Sequence, residues 1–188
     1  MGSVFNFELL HSGLISDQVL QLGITDFESL CNYIRDLPYG RNTDKMELSS
    51  IIHENQGTCS TKHAFLKTVA TEQHRDEVEL YLGIYEMSEK NTAGVGKVLF
   101  DNGLRYIPEA HVYLRYQDRI HDYTRANESK QSFAESLIFE QCIQPDQIGV
   151  YKEQLHKTFI SNWILKNDID HDANRIWEIR EDCISALG

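Results

Sequence analysis

Positive charge is scarce in this chain. Eighteen lysines and arginines stand against 29 aspartates and glutamates, a formal net charge of −11 over 188 residues. An acidic surface repels phosphate backbones and anionic lipid, so neither nucleic acid nor membrane is an expected partner. Paired cysteines are missing as well. Cys31, Cys59, Cys142 and Cys183 are widely spaced, no CxxC occurs, and the spacing is not that of a disulfide framework. No basic stretch leads into a long apolar run, so neither a signal peptide nor a membrane-spanning helix is expected. Internal repeats, low-complexity tracts and Gly/Ser linkers are absent. These absences favour a single domain over residues 1–188 in a reducing cytoplasm, where a thiolate can persist. No cofactor and no metal is expected, and the oligomeric state stays open.

What is present is ordinary globular material, with 41% hydrophobic residues to build a core. Residues 3–24 read as short helical or irregular pieces. Thr25 is placed to cap a helix from Asp26 to about Asp36, whose Phe27, Leu30, Ile34 and Leu37 recur at three and four residues. Asp44 is placed to cap a second helix through Met46, Leu48, Ile51 and Ile52. A third runs from about Thr58 to His74. Val78, Leu80, Leu82 and Ile84 alternate along a strand, Asn91–Gly96 reads as a flexible loop, and Val98–Leu104 as a short helix. His111–Tyr116 and Arg119–Thr124, separated by Gln117-Asp118, read as a hairpin. Leu137–Ile143 is a further strand, and Val150–Lys166 and Asp172–Leu187 are terminal helices. Helices, then strands, then helices make the fold class α+β, with a core over about 25–145 and a C-terminal helical extension over about 146–188.

The chemistry-bearing stretch is Asn55-Gln56-Gly57-Thr58-Cys59-Ser60-Thr61-Lys62-His63. It places a cysteine where a polar loop becomes a helix. A thiol in a first helical turn feels the positive end of the helix dipole, which favours the thiolate. Equally, a lone cysteine serves as a small buried hydrophobe. Eleven residues separate His111 from Asp122, a length at which a hairpin brings its two ends side by side. Asp122 could then hold the imidazole tautomer. The same spacing suits a surface hairpin with a salt bridge. Cys59 and His63 lie four apart on one helical face and, with His111 or His121, would suit zinc, although the spaced cysteine pairs of common zinc sites are absent. Gly94-Val95-Gly96-Lys97 lacks the flanking residues of a phosphate loop, with Asn91 and Val98 at the deciding positions. Tyr39-Gly40-Arg41 could line a cleft, Arg41 holding a carboxylate, or be a plain exposed turn.

Gly57-Thr58-Cys59, a helix, a strand that begins with His111 and an aspartate on the next strand resemble the transglutaminase-like superfamily of the papain-like cysteine fold. Tyr33–Tyr39 resembles the helix-then-tyrosine segment preceding that core, and the likeness spans about residues 27–125. The resemblance implies N-terminal helices, including the cysteine helix, packed on a small antiparallel sheet. It implies Cys59 as nucleophile, His111 as base and acid, and Asp122 as orienter, with Asn55, Gln56 and the Cys59 N–H near the oxyanion. The implied activity is a thiol hydrolase or acyltransferase acting on an amide or thioester in a peptide or small molecule. The alternatives are a non-catalytic binding module on the same fold or a Cys/His metal-binding protein.

Overall fold

The computed structural model describes residues 6–126 and 133–187; the expectation for residues 3–5 lies outside them. Among the described residues, seven α-helices and one four-stranded antiparallel sheet make the protein α+β. The helices are α1 (Leu14–Gln21), α2 (Phe27–Asp36), α3 (Ser50–His53), α4 (Cys59–Glu72), α5 (Gly96–Asp101), α6 (Val150–Asn167) and α7 (Ala173–Ser185). The strands are β1 (Glu79–Met87), β2 (Ile107–Tyr116), β3 (Arg119–His121) and β4 (Leu137–Ile143), hydrogen-bonded in the order β3-β2-β1-β4. Among the described residues no helix is long and apolar enough to cross a membrane.

The chain divides into two units. The first comprises Met1–Leu82, Val112–Ala126 and Gln141–Gly149; the second comprises Gly83–His111, Asn127–Glu140 and Val150–Gly188. In the first, α4 is the central element and contacts α1, α2, α3 and a 3-10 turn at Pro145–Ile148. Phe27, Leu30 and Ile34 of α2 and Phe65, Leu66 and Val69 of α4 are fully buried, as the three-and-four spacing of α2 requires. The far end of α4 also fixes α1. The Glu72 carboxylate accepts from the Ile15 and Ser16 N–H groups and the Ser16 hydroxyl, satisfying donors that Gly13 has no side chain to reach. A Cβ at Gly13 would sit 2.1 Å from the Glu72 carboxyl carbon.

The β2–β3 hairpin pairs Leu114 with His121, Arg115 with Ile120 and Tyr116 with Arg119. Its two turn residues, Gln117 and Asp118, both take positive φ (49° and 58°), the left-handed pair that matches the twist of a two-residue turn. In the second unit α7 packs on α5 and α6, with Ile160, Ile176 and Ile179 in the core. Trp163 is buried. Trp177 is only half-buried and carries Lys157, Arg180 and His156 around its ring.

Three local readings need correction. Asp26, not Thr25, caps α2: its backbone is extended and its carboxylate accepts from the Ser29 N–H and hydroxyl. Asp44 starts no long helix. It bonds the Met46 N–H two residues on, closing a turn, and only Ser50–His53 is helical. The Asn91–Gly96 loop is tied down rather than loose. Asn91 reaches the Glu86 carbonyl and the Ser136 hydroxyl, and the Glu89 carboxylate accepts from the Gly94 and Gly96 N–H groups. With those donors taken, α5 starts at Gly96 instead of Val98.

Candidate functional site

Cys59 is the first residue of α4. Thr58 caps the helix in both directions: its hydroxyl accepts from the Thr61 N–H, and the Thr61 hydroxyl accepts from the Thr58 N–H. Cys59 is buried, 6% exposed, and its sulfur lies 3.9 Å from the Ser60 hydroxyl oxygen. The approach is a strained loop in which Asn55 takes φ 52°. Gln56 follows, and its carboxamide donates to the Arg41 carbonyl at 2.8 Å, while Asn42 donates to the Gln56 carbonyl at 3.0 Å. Gly57 pairs with the Pro38–Gly40 segment, donating to Pro38 and accepting from Gly40, and forms a bridge with Tyr39. A Cβ at position 40 would lie 2.6 Å from the Gln56 Oε1, so a side chain there would displace the Gln56 carboxamide. Asn55, Gln56, Tyr39 and Arg41 thus belong to two adjoining strips just upstream of Cys59. Tyr39 is half-buried under the Arg125 guanidinium, 4.5 Å from its ring centre, and Arg41 is exposed.

His63 sits one turn after Cys59 and is fully buried. The Tyr123 N–H donates to its Nε2 at 2.8 Å, so that nitrogen is bare; the proton lies on Nδ1, which donates to the Cys59 carbonyl at 2.8 Å. Both ring nitrogens are therefore committed to backbone, which leaves no lone pair for a metal and no basic site for catalysis. Among the described residues no group of three or more His, Cys, Asp or Glu side chains is placed to hold a metal ion.

Asp122 follows β3 directly, one residue past the last paired position. Its Oδ1 accepts from the Thr124 N–H and hydroxyl, and lies 3.4 Å from the His63 Nε2. Asp122 and Cys59 belong to the first unit, and His111 to the second. His111 is half-buried on β2, its ring 4.5 Å from that of Phe133 and 6.2 Å from that of Tyr85. His121 is half-buried opposite Leu114, and burial, aided by Arg119, lowers its pKa. The second unit also holds an open cavity of about 750 Å³, bounded among others by Asn91, Leu99, Phe100, Tyr106 and Ser136. None of the residues singled out in the sequence for a site lines it.

Lys62 escaped the sequence reading. It is fully buried, and its Nζ donates to three backbone carbonyls: Arg35 (3.2 Å), Leu37 (2.6 Å) and Thr124 (2.8 Å). An ammonium has three donors, and all three are met. Two of the acceptors are orphan carbonyls where α2 ends, the negative pole of that helix. Burial pulls the Lys62 pKa down to about 8, and Arg125 adds to this, while Asp36, Asp122 and Cys59 oppose it.

The other three cysteines are all disfavoured as thiolates. Burial pushes Cys31 far up, with Glu28 and Asp26 adding to it and a hydrogen bond with Tyr123 opposing. Burial, then Glu79, raises Cys142, although the residue is exposed. Burial, then Glu109, raises Cys183 to about 11. No disulfide joins any of the four. Compared with family models, curated proteins and solved structures, the chain matches none of them.

Proposed function

We propose that the protein is a thiol-dependent hydrolase or acyltransferase of transglutaminase-like type, working in a reducing cytoplasm on an amide or thioester of a peptide or small molecule. Cys59 is the nucleophile. One observation carries this reading: Cys59 opens a doubly capped fourteen-residue helix, whereas the other three thiols are pushed toward the neutral form. In the reaction the Cys59 thiol yields its proton to a base and the sulfur bonds the carbonyl carbon. The tetrahedral intermediate expels an amine or thiol, which takes that proton, and leaves an acyl-enzyme. Water or a second amine then attacks the acyl carbon and releases the sulfur. His63 is excluded as the base, since both its nitrogens serve the backbone. The base is assigned to His111 and the orienting carboxylate to Asp122, on the strength of the resemblance.

The test is brief iodoacetamide treatment of the folded protein at neutral pH, resolved cysteine by cysteine by mass spectrometry. Cys59 is expected to label first. His111→Ala should slow Cys59 labelling by about tenfold, the effect of a thiol pKa raised by about one unit, and Asp122→Asn should slow it less. Faster labelling of Cys142, or a Cys59 rate indifferent to His111→Ala, leaves the non-catalytic binding module in its place.

A further inference from the structure

A buried lysine with every donor satisfied is a fixed charge, and its position on α4 gives it a target. Lys62 is three residues after Cys59, so the two side chains leave the same face of the helix. The three carbonyls that hold the ammonium come from two separate places in the chain, the end of α2 and the segment after β3. A lysine this enclosed lacks the freedom of a surface side chain, so its charge stays put while the environment around it excludes water. In such surroundings a charge acts on its neighbours far more strongly than in solvent.

We infer that Lys62 is a positioning residue for Cys59, a stationary cation caged by backbone that holds the neighbouring sulfur as its thiolate. This rests on Cys59 being the nucleophile. The carbonyl cage also directs every Lys62 N–H at backbone, so none of them points at a substrate as a proton donor. Its contribution is electrostatic only. The charged and titratable groups facing it are Asp36 from α2, Asp122 and Arg125 from the segment after β3, and Cys59 from α4 itself, with neutral His63 beside it. Asp36 and Asp122 keep Lys62 protonated; Arg125 works against it. The ammonium is present at neutral pH and is lost through about pH 8, so its hold on the sulfur weakens as the solution turns alkaline.

The experiment follows the rate of Cys59 alkylation by iodoacetamide from pH 5 to pH 10 in the full chain, peptide by peptide. Cys142 serves as an internal reference and circular dichroism as the check on folding. In Lys62→Met the Cys59 profile is expected to move to higher pH, with labelling at pH 7 slowed about tenfold and Cys142 unchanged. Lys62→Arg, which restores a charge, should recover much of the loss. A folded Lys62→Met protein with the wild-type Cys59 profile overturns the role of Lys62 while leaving the nucleophile in place. Cys59 labelling no faster than Cys142 in the wild type overturns the nucleophile reading, and this inference with it. Should Lys62→Met fail to fold, the wild-type curve decides. A sulfur held as thiolate by a cation that persists to about pH 8 must already react at half its maximal rate well below that pH, and a half-maximum at or above pH 8 rejects the coupling.

Discussion

Each unit buries a charge, and the two charges are held in opposite ways. In the second unit the carboxylate of Glu109, 5% exposed, meets the Arg180 guanidinium at 2.8 and 2.6 Å. Burial alone would raise the Glu109 pKa, but the charge and hydrogen bonds of Arg180 outweigh it, His156 and Lys152 help, and the carboxyl settles at about 2. Arg180 is raised in turn: burial opposes, and Glu109 prevails. In the first unit Lys62 has only neutral carbonyls as direct partners, and its pKa falls to about 8. A full opposite charge locks a buried ion outside the physiological range. Backbone dipoles satisfy its geometry but leave it within reach of ordinary pH. The first arrangement suits a structural strut, and the second suits a group whose charge has a use.

The sharpest way to break this comparison is to remove one half of the strut. Arg180→Met strands the Glu109 carboxylate in the interior and should cost about 3–5 kcal/mol, read as a lowered midpoint in urea unfolding. The two charges should also show in the pH dependence of wild-type stability, at opposite ends of the scale. The folded pKa of Glu109 lies below its ordinary value of 4.5. The stability it contributes is therefore present above pH 4.5 and drains away as pH falls towards about 2. Lys62 is also depressed, from 10.5 to about 8. The folded state then binds fewer protons than the unfolded one between those values, so its contribution is full above pH 10.5 and is lost as pH falls through about 8. Subtracting the curve of Lys62→Met from that of the wild type should leave this alkaline rise alone; a flat difference would place the lysine pKa at its ordinary value. The smallest effect is expected at the cap of the helix carrying Lys62. Thr58→Ala removes one of two reciprocal hydrogen bonds and should cost about 1 kcal/mol, measurable in the same unfolding assay.

Much of the fold was legible because local chemistry and tertiary demand agree. The polar stretch Asn55–Thr58 before Cys59 reads as a helix start, Gln117-Asp118 between β-formers reads as a turn, and the spacing along α2 marks the face it buries. The misreadings fall where two polar residues compete for one backbone group, as Thr25 and Asp26 do, or where a side chain closes a short turn instead of opening a helix, as Asp44 does. Lys62 was hidden for a different reason. Helix α4 is enclosed on nearly every side, with Lys62, His63 and Lys67 buried along with Ala64, Phe65 and Leu66. A helix without a wet face has no stripe for periodicity to find. A lysine on it is read as solvent-facing by default, since lysines are almost never fully buried unless paired. Three carbonyl partners contributed by residues 25, 27 and 62 positions away leave no trace in spacing. The available signal was the run Cys59, Lys62, His63 itself, with a cation and an imidazole three and four positions after a cysteine.

The His63 ring fixes more than a tautomer. It spans from the Cys59 carbonyl to the Tyr123 N–H, two backbone groups sixty-odd residues apart in sequence, with a rigid body that cannot stretch. It is a gauge block, and it limits how this region can change length in evolution. The tip of the hairpin at Gln117-Asp118 lies outside the gauge, so extra residues there leave the two contacts in place. Between His121 and Tyr123 there is no such tolerance. Along an extended chain successive residues face opposite ways, so one inserted residue turns the Tyr123 N–H from the imidazole and carries Asp122 with it. Insertions should therefore accumulate at the turn and be purged from His121–Tyr123.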